Sequence, residues 1–170
     1  MQSIKYLGLG LMLSVLAGCD MDMNGMHGSN YAGKKFSSNG ERIYFTGRSQ
    51  SGTAISFSGG NMHAQGHQGG CVSCHGENRQ GGRRMYPMFW LKTPPLTADA
   101  LFDAHDQGHG DHDAYTLDAL KVAITQGKDP SGKEMDTSMP RWSMGEEDLN
   151  DLVTFLGQGS AHLPKTPHNE

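Results

Sequence analysis

Two cysteines and a histidine form the most chemically informative pattern in this sequence of 170 residues. Cys71-Val72-Ser73-Cys74-His75 has the Cys-x-x-Cys-His spacing that is typical of covalent haem attachment. Two thiols three positions apart can each add to one vinyl group of the same porphyrin, and the next residue then presents its imidazole to the iron. The pattern predicts one haem c attached to Cys71 and Cys74, with His75 as an axial iron ligand.

Other uses of these cysteines fit the surrounding sequence less well. A thioredoxin-like redox pair follows a strand, whereas Gly59–Gly70 contains five glycines and no apolar run. A Cys₄ zinc site needs a second cysteine pair, which the chain lacks. A disulfide between Cys71 and Cys74 would leave His75 without a role.

A methionine near the C-terminus adds a second candidate iron ligand. At Met139-Pro140-Arg141-Trp142 the sequence resembles the class I c-type cytochrome family. In that family, a Met-Pro pair in a loop before the last helix supplies the distal thioether. The resemblance is specific over about residues 71–157, and it implies a mono-haem electron carrier in which His75 and Met139 are the two axial ligands.

Four other side chains are rivals for the distal position. Met135 and Met144 are thioethers too, but we expect them to fill gaps in the core. His63 and His67 would give bis-histidine ligation. They precede the attachment site, whereas the distal ligand of the resembled family follows it.

The segment after the attachment site supplies candidates for the surroundings of the haem. The resemblance implies that a proline carbonyl accepts a hydrogen bond from the outer nitrogen of His75, and Pro87, Pro94 and Pro95 all remain candidates. The dense apolar run at residues 86–91 predicts haem-pocket and core packing.

Two charged regions have more than one interpretation. The cations that follow the attachment site could neutralise haem propionates, dock an acidic partner or form a solvated loop: Arg79, Arg83 and Arg84. An Asp-rich segment further on favours an exposed acidic loop, although its histidines could hold a metal if it were helical: His105, His109 and His112.

Three helices are predicted to position these residues. The first covers Thr97–Ala104 and the second about Thr116–Gln126, with Gly127 as its C-cap. The third follows a capping box formed by Ser143 and Glu146 and ends at Gly157. Its apolar positions follow helical spacing: Leu149, Leu152, Val153 and Leu156.

The region before the attachment site departs from the family pattern. Residues 42–46 and 53–58 alternate in polarity around a polar turn, which predicts an inserted hairpin. A bent N-terminal helix followed by a long loop is the alternative. The expected fold class is therefore mainly α, a class I cytochrome c-like helical fold around one haem, with an inserted β-hairpin or loop extension.

The N-terminal segment has the features of an export signal. Residues 1–18 combine Lys5 with a short apolar run, and Leu16-Ala17-Gly18-Cys19 resembles a bacterial lipobox, which implies lipidation of Cys19. An ordinary signal peptide is the alternative. Residues 19–40 are expected to be a flexible tether, in which a copper(I) site is a second interpretation of four residues: Met21, Met23, Met26 and His27.

Composition limits the remaining possibilities. Apolar residues make up 35% of the chain, so a multi-span membrane protein is excluded, and a net charge of −4 argues against nucleic-acid binding. We expect one haem domain at residues 41–160 and a polar tail at residues 161–170.

These inferences predict a lipid-anchored mono-haem cytochrome c at the periplasmic or outer face of a bacterial membrane. Its partners would be a dehydrogenase or respiratory complex as electron donor and an oxidase or reductase as acceptor. It would be an electron carrier and not an enzyme. The alternatives are a haem-based ligand sensor and a small peroxidase, both of which need an open sixth iron position.

Overall fold

The computed structural model describes residues 31, 33–53, 55–60, 69–85, 89–103 and 113–159. Five helices and two short strands occur within this part of the chain: α1 Asn39–Thr46, β1 Ser56–Ser58, α2 Val72–His75, α3 Ala98–Phe102, α4 Leu117–Gln126, β2 Arg141–Ser143 and α5 Glu146–Gly157. The expected mainly helical class is confirmed. None of the helices in the described ranges has the length and apolar character needed to cross a bilayer.

Helices α1 and α5 pack against each other and form the centre of the fold. Gly40 permits this close contact, because a Cβ atom there would overlap the carbonyl of Asp151 and approach Cβ of Phe155 to 2.8 Å. The buried face of α1 contains Ile43 and Tyr44. The apolar face expected on α5 is confirmed, since three of its members are buried and the fourth is partly buried: Leu152, Val153, Leu156 and Leu149.

The two middle helices match the expected positions. Thr97 caps α3 by accepting a hydrogen bond from the Ala100 amide, and Leu101 enters the core at 4% exposure. Helix α4 ends at Gly127, whose left-handed conformation allows its amide to bond back to the last turn. The buried residues of α4 are Leu120, Ala123 and Ile124.

The predicted capping box of the last helix is wrong. Ser143 belongs to β2 and pairs with Ser56, so it is not free to cap a helix. Helix α5 begins at Glu146 after Gly145, and its first turn carries three acidic residues. The negative charges of these residues interact favourably with the positive end of the helix dipole. This interaction stabilises the first turn, which has no side-chain cap.

The insertion before the attachment site also differs from the expected hairpin. Residues 42–46 are helical in α1, as in the alternative interpretation, and β1 pairs antiparallel with β2 from the far end of the chain. Phe57 lies opposite Trp142, with ring centroids 5.0 Å apart. The contact between buried Trp142 and partly buried Phe57 favours a long-range strand pairing over a local hairpin.

The folded domain begins before residue 41, within the segment expected to be the tether. Phe36 and Tyr31 pack against the core, and the Tyr31 hydroxyl donates to Glu77 at 2.9 Å. The Lys34 ammonium lies 3.3 Å from the ring centroid of Phe45 and 3.4 Å from the Glu41 carboxylate. These contacts hold the segment that precedes α1 against this helix.

Candidate haem site

One cavity brings together all four residues expected to bind the haem. It has a volume of about 640 Å³, and its walls include Cys71, Cys74, His75 and Met139. Side chains from distant parts of the chain complete the walls, among them Phe57, Leu101, Ile124, Trp142 and Leu156. The cavity is therefore lined by helices α2 to α5, by the β1–β2 pair and by the loop before β2.

The imidazole of His75 is held in one orientation at the end of α2. Its Nδ1 lies 2.9 Å from the Pro94 carbonyl, and because a carbonyl only accepts, Nδ1 is the protonated nitrogen. Nε2 is then the nitrogen left to bind a metal. Burial lowers the pKa of His75 and the hydrogen bond to Pro94 partly opposes this, so the site favours the neutral imidazole, which is the form that binds iron. Of the three candidate prolines, Pro94 supplies the carbonyl.

The two thiols share the cavity wall with His75 but lack the features of a reactive redox pair. Burial raises the pKa of Cys71 to about 12 and also raises the pKa of Cys74. Redox-active Cys-x-x-Cys pairs have lowered thiol pKa values. The protein environment therefore favours two neutral thiols, in agreement with the argument against a thioredoxin-like site.

Four consecutive carbonyls at the end of α2 are held by groups outside the helix. A helix of one turn leaves these acceptors unpaired, and each one receives a donor from another part of the chain. The pairs are Arg83 Nη1 to Ser73 O at 2.6 Å, Thr93 Oγ1 to Cys74 O at 2.9 Å, Gly81 N to His75 O at 2.9 Å and Tyr44 Oη to Gly76 O at 2.7 Å. The segment that carries the attachment residues is thus fixed from several sides.

The loop that carries Met139 is held by one arginine. The Arg141 guanidinium donates to the carbonyls of Met139 at 2.6 Å, Met135 at 2.9 Å and Asp136 at 3.4 Å. Gly127 makes room for this group, because a Cβ at that position would overlap the guanidinium. Sequence reasoning missed Arg141, although its place directly after Met-Pro was a signal for it.

The rival thioethers differ in their positions. Met135 lines the same cavity as Met139 and also packs at the margin of the core. Met144 packs against the core, as expected, and is absent from the cavity walls. His63 and His67 lie outside the described residues.

The three arginines after the attachment site all have partners within the protein. Arg79 donates to the carbonyls of Phe155 and Leu156 at the end of α5, at 3.1 and 3.2 Å. Arg83 bonds to Ser73 O, and Arg84 donates to Phe89 O at 2.7 Å. Arg79 therefore connects the last helix to the haem-binding segment.

The described residues of the apolar run at 86–91 differ in their exposure to solvent. Leu91 lines the cavity, as expected. Phe89 and Trp90 are 55% and 77% exposed, so the prediction that they pack in the core is wrong. The described part of the chain does not include residues 86–88, which contain Pro87.

Several expected features lie outside the described residues. These are the signal segment with Cys19, the candidate copper residues Met21, Met23, Met26 and His27, the histidines His105, His109 and His112, and the polar tail. Within the described ranges, no group of three or more His, Cys, Asp or Glu side chains is arranged to hold a metal ion.

The residues of the cavity fit a covalently attached haem. The volume is in the range of ligand pockets, which is about 300–1,000 Å³, and most of the wall is apolar. Two neutral thiols and an imidazole with a free Nε2 lie on one side of the cavity, and a thioether carried by another loop lines it as well. This donor set matches His/Met haem ligation.

Comparison with known proteins identifies the family. The family model described as Cytochrome c matches residues 63–160, which is more than half of the chain and includes every residue of the haem-binding cavity from Gly69 onward. No curated protein and no solved structure matches the chain. The match, together with a cavity fitted for covalent haem c, shows that the chain belongs to the cytochrome c family, whose members bind haem and transfer electrons.

Proposed function

We propose that the protein is a lipid-anchored mono-haem cytochrome c that passes single electrons between redox partners of the bacterial cell envelope. When bound, the haem supplies an iron that gains and loses one electron. Cys71 and Cys74 hold the haem covalently, and His75 and Met139 are its axial ligands. A dehydrogenase or respiratory complex donates the electron, and an oxidase or reductase accepts it.

The observation that carries this proposal is the common cavity of Met139 and the three attachment-site residues. Met139 is followed by Pro140, which prevents a helix from continuing through the loop. Arg141 holds the carbonyl of Met139 itself, whereas Met144 lies away from the cavity. Met135 lines the cavity as well, so the experiment must separate these two thioethers.

The surroundings of the site favour electron transfer over ligand binding. Pro94 fixes the ring of His75, and Arg141 fixes the loop of Met139. If His75 and Met139 bind the iron, each would be held by a separate part of the fold, which would limit the reorganisation that accompanies a change of oxidation state. A sensor or a peroxidase would instead need one of the two positions to open.

The ligation is tested by replacing each candidate methionine with leucine, which has a similar volume. Absorption spectra are recorded for the oxidised protein, the reduced protein and the reduced protein under carbon monoxide. We expect the wild type, Met135→Leu and Met144→Leu to keep a low-spin spectrum that carbon monoxide does not change. Met139→Leu should bind carbon monoxide readily.

Two outcomes would contradict the proposal. A wild-type protein that binds carbon monoxide readily would support the sensor or peroxidase alternative. A carbon monoxide response that appears only in Met135→Leu would transfer the ligand role to Met135.

Anchoring by Cys19 is a separate part of the proposal and is supported by the lipobox-like sequence alone. The mass of the mature protein from bacterial membranes should correspond to cleavage before Cys19 with added acyl chains. Cys19→Ser should remove these chains, and the protein, exported with an ordinary cleavable signal, should then leave the membrane fraction on washing at high salt, which weakens any remaining charge-dependent binding. An unmodified N-terminus in the wild type would exclude the anchor.

A further inference from the structure

A short antiparallel arm extends from the wall of the haem-binding cavity. Its two sides, residues 82–85 and 89–93, pair through Arg84 and Lys92, and three backbone hydrogen bonds join them. These bonds run from Gly82 N to Thr93 O, from Thr93 N to Arg83 O and from Met85 N to Leu91 O. We call this element the aromatic arm.

The aromatic arm exposes large apolar side chains. Trp90 is 77% exposed and Phe89 is 55% exposed, and they are the exposed large hydrophobic residues of the described chain. Burial of such side chains in the core is the general rule, and neighbouring Met85 follows it at 6% exposure. Two adjacent aromatic side chains that are exposed to this extent indicate a surface that binds a membrane or another molecule.

The charge of the arm differs from that of the rest of the protein. Arg83, Arg84 and Lys92 are all exposed, and the sequence contains no Asp or Glu from Asn78 to Ala98. The chain as a whole has a net charge of −4, so this stretch of the sequence differs in sign from the chain average. Because salt screens charges beyond about 8 Å, an anionic surface that touches the arm interacts mainly with these three cations.

The arm lies beside the point where the N-terminal segment joins the domain. Tyr31 donates its hydroxyl hydrogen bond to Glu77, next to the attachment site, and Arg83 is within electrostatic reach of the same phenol. Arg83 also bonds to Ser73 of the attachment segment. The lipid anchor proposed above, on which the following proposal rests in part, would join the membrane to the domain through this segment.

We propose that the aromatic arm docks the domain on an anionic lipid surface, with Trp90 and Phe89 in the headgroup region and the three cations on lipid phosphates. Tryptophan is enriched at membrane–water interfaces, and cations there add to the binding of amphipathic surfaces. Five residues of the arm also line the haem-binding cavity: Gly82, Met85, Leu91, Lys92 and Thr93. Docking therefore holds the haem side of the domain near electron-transfer partners in the membrane.

The test uses the mature chain with Cys19→Ser, loaded with haem, so that no acyl chain contributes to binding. Sedimentation with vesicles measures the partition coefficient on phosphatidylcholine containing about a third phosphatidylglycerol and on phosphatidylcholine alone. The variants are Trp90→Ala and Lys92→Glu. Lys133→Glu is the matched control, because it makes the same change at an exposed lysine outside the arm.

We expect the wild type to bind the anionic vesicles and to lose most of this binding on neutral ones. Each cation near an anionic membrane changes the partition coefficient about fivefold, so the two-unit change in Lys92→Glu should lower it about 25-fold. Trp90→Ala should lower it about tenfold. Lys133→Glu should stay within about twofold of the wild type.

Equal binding by the wild type and both arm variants would overturn the proposal, as would no binding by the wild type. Arm variants that slow electron transfer to a redox protein while vesicle binding stays unchanged would assign the surface to a protein partner instead. These outcomes are distinguishable from a failure of the proposed function. Haem ligation is read separately from the absorption spectrum of each variant, and the acylation of Cys19 plays no part in the experiment.

Discussion

At the scale of single residues, Arg141 has the clearest untested role. Its guanidinium donates to carbonyls on both sides of the loop that ends at Met139, and Gly127 leaves the space that it fills. The planar fork of an arginine suits several acceptors at once, which a lysine ammonium does not reproduce. We therefore expect Arg141 to be a positioning residue for Met139.

Replacing Arg141 with glutamine should loosen this loop. A hydrogen bond from a charged donor contributes about 1.5–3 kcal/mol, and a loss of about 2 kcal/mol would raise the population of an open loop about 30-fold. The rate of carbon monoxide binding to the reduced protein should rise by that factor. Arg141→Lys should bind carbon monoxide at a rate between those of the wild type and Arg141→Gln.

The matched control is Arg48→Gln, which removes an exposed arginine far from this loop in the sequence. It should bind carbon monoxide as slowly as the wild type. Circular dichroism of each variant checks that the helices are intact. An Arg141→Gln protein that is folded and no faster than the wild type would show that the arginine does not position the ligand.

At the residue scale, a sequence pattern predicts best which side chains come together when they lie close to one another in the chain. Cys71, Cys74 and His75 lie within five positions, so their spacing alone brings them to one cavity wall. Sequence could not decide which of three proline carbonyls accepts the hydrogen bond from His75. The answer depends on the path by which the chain returns to His75, and a sequence pattern does not contain that path. The structure selects Pro94 because Thr93 and Arg83 bond the same segment back to α2.

At the scale of elements, two Ser-x-x-Glu patterns have opposite outcomes. Ser38-Asn39-Gly40-Glu41 caps α1, with Ser38 Oγ accepting from the Glu41 amide, and sequence reasoning overlooked it. Ser143 has the same pattern with Glu146, but strand pairing takes it away from α5. A capping pattern is local, and long-range pairing decides whether it is used.

The start of α1 gives a prediction about acid stability. The Glu41 carboxylate accepts hydrogen bonds from the hydroxyl and the amide of Ser37, at 2.7 and 2.6 Å. These bonds and the nearby Lys34 lower the pKa of Glu41 below the ordinary 4.5, although burial opposes this effect. A lowered folded-state pKa contributes stability above the unfolded value, and this stability disappears as the pH falls through the folded value. Glu41→Gln should cost about 1 kcal/mol at pH 7 and progressively less as the pH falls below 4.5.

The measurement is the free energy of unfolding of wild type and variant across this pH range. Glu134→Gln makes the same substitution at an exposed loop position, and its difference from the wild type should be smaller throughout. A Glu41→Gln difference that does not decrease as the pH falls below 4.5 would exclude the ionised carboxylate as its cause.

At the scale of the whole molecule, the fold is closed by contacts between its two ends. Helix α1 packs on α5, and β1 pairs with β2, so the insertion before the attachment site covers the cavity beside the loop of Met139. The helical elements could be predicted because each carries its own periodic pattern and caps. The β1–β2 pair joins residues more than eighty positions apart, and for this reason the local sequence pattern predicts only a hairpin.

At the contact between α1 and α5, tight packing and helix propensity predict changes of opposite sign in the free energy of unfolding. In an isolated helix, Gly→Ala is stabilising by about 1 kcal/mol. At Gly40 the added Cβ would overlap the Asp151 carbonyl, so the two helices must separate. Because overpacking costs about 1–3 kcal/mol or more, Gly40→Ala should destabilise the haem-loaded protein by at least 1 kcal/mol in chemical unfolding. Thr154→Ala, at an exposed position of α5, should show the small gain that propensity alone predicts. If Gly40→Ala is also stabilising, the close approach of the first and last helices does not limit the stability of the fold.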